Sequence, residues 1–147
     1  MKHLQFKTEI SADRKKVWNT MLNPDSYKKW VDVSWPGSYF EGIWAKGEKL
    51  RFVSPANGGT LAELREQKPY ETILAEQIAV INPDGSEDRD SEIARGWIGT
   101  TERYTFEEKG GKTELVVEIN TPPAWAEMFE DGWPKALARL KELCETR

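Results

Sequence analysis

The sequence is poor in the residue types from which most enzyme and metal sites are built. Its 147 residues include one Cys and one His. A lone Cys144 permits no internal disulfide, which suits a reducing compartment. The opening residues MKHLQFKTEI contain no apolar run that could act as a secretory leader. The expected location is therefore cytoplasmic. His3 lies at the very start, where chains are usually poorly held, so neither a Ser-His-Asp triad nor a His-based metal site is expected. No stretch approaches the ~20 apolar residues of a membrane-crossing helix, and no membrane insertion is expected. Net charge is −4. Basic residues alternate with acidic ones, with no basic stripe to displace counterions, which argues against nucleic acid.

Aromatic residues are plentiful. Seven Trp, five Phe and four Tyr stand in a chain that is 38% hydrophobic and 31% charged. That balance is globular, and the length fits one domain spanning 1–147. Aromatics carry large apolar area per residue, so they either build a core from few residues or line a cavity.

Hydrophobic periodicity divides the chain into elements. Leu4, Phe6, Thr8 and Ile10 alternate with polar residues as a half-buried strand. Ser11 is placed to cap a helix carrying Val17, Trp18, Met21 and Leu22 on one face. Asn23-Pro24-Asp25 ends that helix and starts a second, with Asn23 as cap and Pro24 at the first helical position; it ends near Trp30. Strands follow at Tyr39 to Trp44, Leu50 to Val53, Thr60 to Glu66, Thr72 to Ile81, Gly99 to Glu107 and Thr113 to Ile119. Loops separate them at Lys46-Gly47-Glu48, Pro55 to Gly59, Asn82 to Gly85, an acidic stretch Ser86 to Glu92, and Glu108 to Gly111. Connections this short imply antiparallel neighbours. After Thr121-Pro122-Pro123, the residues Trp125, Phe129, Trp133, Ala136, Leu140 and Leu143 recur at helical steps. Pro134 removes one intrahelical hydrogen bond, which predicts a kink or break near Asp131-Gly132. The reading is α+β: a curved antiparallel sheet of about six to seven strands, two short helices after the first strand, and a long C-terminal helix covering the sheet.

Two apparent motifs fail on spacing. Gly110-Gly111-Lys112-Thr113 resembles the end of a phosphate-binding loop, but Phe106 stands where that motif needs Gly, and a strand follows. The acidic stretch Asp84, Ser86, Asp88, Asp90, Glu92 puts Arg89 and Arg95 where a calcium loop needs Gly and Glu. Neither a metal nor a cofactor is expected. Cys144, among Leu140 and Leu143 and without an activating His, reads as a core residue.

Glu102, Tyr104 and Phe106 share one strand face, and the two rings mark it as the inward one. Glu102 is then a carboxyl on an apolar face. It is either a polar handle or general base inside a cavity, or a carboxylate paired with an Arg or Tyr at a sheet edge; pairing is the commoner arrangement. Trp44, Trp97, Trp125 and Trp133 could line such a cavity or simply pack, and Phe52 and Phe129 join them as candidate lining.

These pieces resemble the activator-of-Hsp90-ATPase-like group of the START/Bet v 1-like (SRPBCC) superfamily. The resemblance rests on Ala12 with Val17-Trp18, on Trp30, and on Gly42-Ile43-Trp44-Ala45-Lys46-Gly47. It continues through Glu66-Gln67-Lys68-Pro69, the run Trp97 to Phe106, and Gly132-Trp133 with Leu137 and Leu140. It implies a helix-grip fold with a cavity between sheet and C-terminal helix, of the kind that holds lipids, polyketides or other apolar molecules. The leading expectation is therefore a small apolar or amphipathic ligand, bound among Trp44, Phe52, Trp97, Glu102, Tyr104, Phe106, Trp125, Phe129 and Trp133. Two other classes follow from the resemblance: an enzyme of cyclase or hydrolase type using Glu102 with Tyr104, and a protein-interaction module in contact with a chaperone.

Overall fold

A computed structural model describes residues 1–54 and 58–146. The elements are β1 (Lys2–Ile10), α1 (Arg14–Leu22), α2 (Pro24–Val31), β2 (Tyr39–Glu41), β3 (Lys49–Ser54), β4 (Gly58–Lys68), β5 (Thr72–Ile81), β6 (Glu87–Asp88), α3 (Glu92–Trp97), β7 (Thr101–Lys109), β8 (Lys112–Thr121) and α4 (Pro123–Glu145). The strands form one curved antiparallel sheet in the order β1-β8-β7-β5-β4-β3-β2, with β6 paired to the end of β5. Among the described residues eight strands are thus present where six to seven were expected; the addition is the two-residue β6, too short to leave a periodic signal.

Alternation along the strands selects the face that α4 covers. Leu115, Val117 and Ile119 of β8 and Ile73 and Ala75 of β5 are buried, and their sequence neighbours are not. Their cluster includes Ala136, Leu137 and Leu140 of α4. Two bulges in β4 shift its register against β5, and a small separate cluster of Leu61, Ala79 and Ile81 forms there. A bulge moves subsequent side chains to the other face, which is how Leu61 and Ala62 come to be buried side by side.

Several local expectations need correction. The cap of α1 is Asp13, whose side chain accepts from the Lys16 backbone N–H at 2.8 Å. Ser11 instead sits in the turn after β1, its N–H donating to Glu145. Asn23 and Pro24 play their expected parts, and α2 runs one residue past Trp30. The strand predicted to reach Trp44 stops at Glu41, because Gly42 has φ +120°, and a side chain there would meet the Lys49 carbonyl at 2.5 Å. The stretch read as an acidic loop contains β6 and leads into α3, capped by Ser91. Its carboxylates have local duties: Asp84 accepts from Ser86, and Asp88 accepts from the N–H groups of Asp90 and Ser91. Of the loop predicted over 55–59, residues 55–57 lie outside the described residues, while Gly58 and Gly59 begin β4. Gly110-Gly111 is a hairpin turn with both φ positive, joining Lys109 to Lys112. His3 is held within β1 and bonds Asn120 at 2.9 Å.

Helix α4 carries no break at Pro134. The proline lies on the exposed side of the helix, and so does Glu130, whose carbonyl loses its partner; water can satisfy it. One turn of this helix is pinned from outside. Ser34 Oγ donates to the Gly132 carbonyl at 2.6 Å, and the Trp35 ring lies so close that a Cβ on Gly132 would stand 2.5 Å from it. Among the described residues no helix is long and apolar enough to cross a membrane.

A methyl at Gly132 would gain up to about 1 kcal/mol of helix propensity and lose about 1–3 kcal/mol to overpacking. Gly132→Ala is therefore expected to lower stability by about 1–2 kcal/mol. In a Trp35→Ala background the same change should be neutral or stabilising by up to about 1 kcal/mol. Urea denaturation of the two pairs checks this coupling.

Candidate functional site

Between the sheet and the forward half of α4 lies a partly open cavity of about 230 Å³. Each wall has a local cause. Residues Tyr27 and Trp30 come from the buried stripe of α2. Trp44 turns inward after the kink at Gly42, and the Gln67 side chain holds its carbonyl at 2.8 Å. Trp97 closes α3. That helix is inserted where β7 parts from β5: pairing of the two strands ends at Glu76 and Thr101, and Gln77 bonds instead to Thr100 and Gly99. Trp125, Phe129 and Trp133 project from α4 at four-residue spacing, along one helical face.

Of the seven Trp, six line the cavity, Trp18 being the exception. Their rings form a continuous wall. The Trp133 ring has three aromatic neighbours, Trp30 and Trp35 at 5.8 Å and Tyr104 at 5.9 Å. Trp97 stacks on Phe129 at 5.9 Å and meets Trp125 edge-on at 5.3 Å. Trp44 packs against Phe52 at 5.8 Å. Such offset and edge contacts fix ring orientation as well as burying area.

Polar groups are few, and several lack partners. The indole N–H groups of Trp44, Trp97 and Trp133 and the side-chain oxygens of Gln77 and Thr100 are buried without a hydrogen bond among the described residues. Each such group costs about 1–3 kcal/mol when it loses water without replacement. The buried Glu102 accepts a hydrogen bond from the Tyr104 hydroxyl at 3.1 Å. Burial raises its carboxyl from 4.5 to about 7, the Tyr104 bond opposing the rise. Burial, with the Glu102 charge nearby, raises the hydroxyls of Tyr27 and Tyr104.

Eight of the nine residues singled out from the sequence come together on this cavity: Trp44, Phe52, Trp97, Glu102, Tyr104, Trp125, Phe129 and Trp133. Phe106 does not. It lies one alternation further along β7 and packs on Trp18 of α1 at 5.2 Å, beyond the cavity. The pairing of Glu102 is with a Tyr, but β7 lies between β5 and β8, so it is not at a sheet edge. Sequence reasoning missed Tyr27, Trp30, Trp35 and Gln77. The apolar stripe of α2 pointed to the first two, while nothing local marked Gln77.

A carboxyl held at about 7 makes stability depend on pH. Between 4.5 and about 7 the folded protein keeps a proton that the unfolded chain gives up, so stability falls as pH rises through that window. The full shift corresponds to about 3 kcal/mol. Glu102→Gln keeps an acceptor for Tyr104 and removes the charge. It should raise stability by about 2–3 kcal/mol near pH 8 and by little near pH 4, read from urea denaturation at both.

A family model described as "Activator of Hsp90 ATPase homolog 1-like protein" matches residues 11–145. No curated protein matches the chain. Similar solved structures include a protein from Mesorhizobium loti, 14% identical, covering 97% of this chain and 96% of that one with a TM-score of 0.77. A protein from Chromobacterium violaceum is 19% identical, covering 99% and 98% of the two chains with a TM-score of 0.72. The Aha1 dimer from Colwellia psychrerythraea is 18% identical, covering 99% and 97% with a TM-score of 0.72. These likenesses are of fold. With a curved sheet gripping a long helix and a family match over nearly its whole length, the chain belongs to the activator-of-Hsp90-ATPase-homolog-1-like family.

Proposed function

We propose that the protein binds a small, mainly apolar ligand in the cavity between the sheet and α4. The observation that carries this reading is a partly open cavity whose walls are aromatic and whose few polar groups include the Glu102–Tyr104 pair. A core packed only for stability would fill that space with side chains. Binding sites are mostly apolar clefts with a few placed polar groups. Size narrows the class: a cavity of roughly 150 Å³ holds one benzene ring, so about 230 Å³ suits one or two fused rings rather than a long acyl chain.

The test is calorimetric titration with a panel of one- and two-ring aromatics, alongside native mass spectrometry of protein purified from cells. Saturable binding at one site is expected. Val80→Phe, which puts a ring into the space Val80 now borders, should weaken it roughly tenfold or more, about 1.4 kcal/mol. Indifference to Val80→Phe, or absence of binding across the panel, would sink the reading.

One observation favours a second reading, an enzyme of cyclase or hydrolase type. Glu102 holds its carboxyl at about 7 beside the Tyr104 hydroxyl, the range in which a side chain both takes and returns protons. If the reading holds, Glu102→Gln lowers kcat about 100-fold or more. An unchanged kcat removes it.

A further inference from the structure

The cavity is electrically one-sided. Glu102 is the single acidic side chain among the described residues lining it, and none of those residues is Lys, Arg or His. An anionic ligand would therefore enter a water-poor space with no counter-ion and with a carboxyl group already there. That is the costly arrangement for a buried charge. A cation meets the opposite situation. Tyr104 occupies one oxygen of Glu102, Oε2, while an ionised carboxylate offers about four acceptor positions. Behind that carboxyl stand aromatic rings: Tyr104 lies 5.9 Å from Trp133, and Trp133 lies 5.8 Å from Trp30. The faces of Trp and Tyr attract cations, more so when water is excluded.

Resting on the ligand-binding reading above, we infer that the occupant is an arylalkylamine, its ammonium group paired with Glu102 and its ring held among Trp97, Trp133 and Phe129. Three ammonium donors match the acceptor positions that Tyr104 leaves open.

The pairing sets a pH dependence of definite sign. The titratable groups facing Glu102 are Tyr104 from β7 and Tyr27 from α2, both shifted upward and protonated at neutral pH. The walls from β3, β4, β5, α3 and α4 add none among the described lining residues. Glu102 alone then titrates. A cation binds its ionised form, so affinity climbs up to about tenfold per pH unit below about 7 and levels off above it.

The experiment compares 2-naphthylethylamine, 2-naphthylethanol and 2-naphthylacetate, which share a ring system and differ in charge, by isothermal titration calorimetry at about pH 5.5 and about pH 8. At the higher pH the amine should bind roughly tenfold or more tighter than the alcohol, and the acetate weakest. At the lower pH the amine's advantage should shrink. In Glu102→Gln it should be lost at both. Equal or tighter binding of the alcohol or acetate near pH 8 overturns the inference while leaving the ligand-binding reading intact. An amine preference that persists in a folded Glu102→Gln protein also overturns it. Failure of all three compounds to bind overturns both readings. The wild-type pH comparison stands without the variant, should Glu102→Gln not fold.

Discussion

Core and cavity both depend on how α4 lies in the concave face of the sheet, and Trp133 is the side chain that ties it to the most aromatic neighbours. Trp133 is 3% exposed and has ring contacts with α2, with the turn that follows it, and with β7, through Trp30, Trp35 and Tyr104. The helix can approach this closely because its neighbour Gly132 has no side chain to push Trp35 away. Behind Trp133, towards the C-terminus, Ala136, Leu137 and Leu140 complete a solid core. Ahead of it, Phe129 and Trp125 border open space. The same helix thus closes the core at one end and roofs a cavity at the other.

The cavity is held open at a thermodynamic cost. A carboxyl sits 9% exposed on an otherwise apolar strand face, and the fold satisfies it with one tyrosine hydroxyl. Indole N–H groups nearby have no partner among the described residues. Stability alone would favour apolar replacements at such positions. Retaining them costs free energy, and a ligand that engages the Glu102 carboxyl would recover part of it.

Much of this was legible locally. Strict alternation along β5, β7 and β8 marked the inward face and put Glu102 on it beside Tyr104. The three-and-four spacing of α4 placed Trp125, Phe129 and Trp133 on one stripe. Asn23-Pro24 announced the start of α2. The misses share a cause. Ser11 and Asp13 are both good caps, and the turn after β1 chose between them. Phe106 has the same pattern as Tyr104, yet α1 covers it through Trp18, a contact between distant parts of the chain. Pro134 predicts a break in an isolated helix, but here it lies on the exposed face of a helix fixed elsewhere by packing. The short α3 carries too few residues for periodicity to register.

The sequence by itself determined the inventory: all the elements but β6 and α3, their antiparallel neighbours, the buried faces, the scarcity of metal- and triad-forming residues, and the aromatic supply. Those follow from hydrophobic period and turn chemistry, which act within a few residues. Only the tertiary structure decided that β7 parts from β5 at Gln77, that Trp44 turns inward, and that six Trp surround one space. It also decided that Glu102 stands within that space rather than at a sheet edge, with no basic side chain among the described residues that line it. Burial, charge isolation and cavity volume depend on which distant residues meet, and no local pattern carries that information.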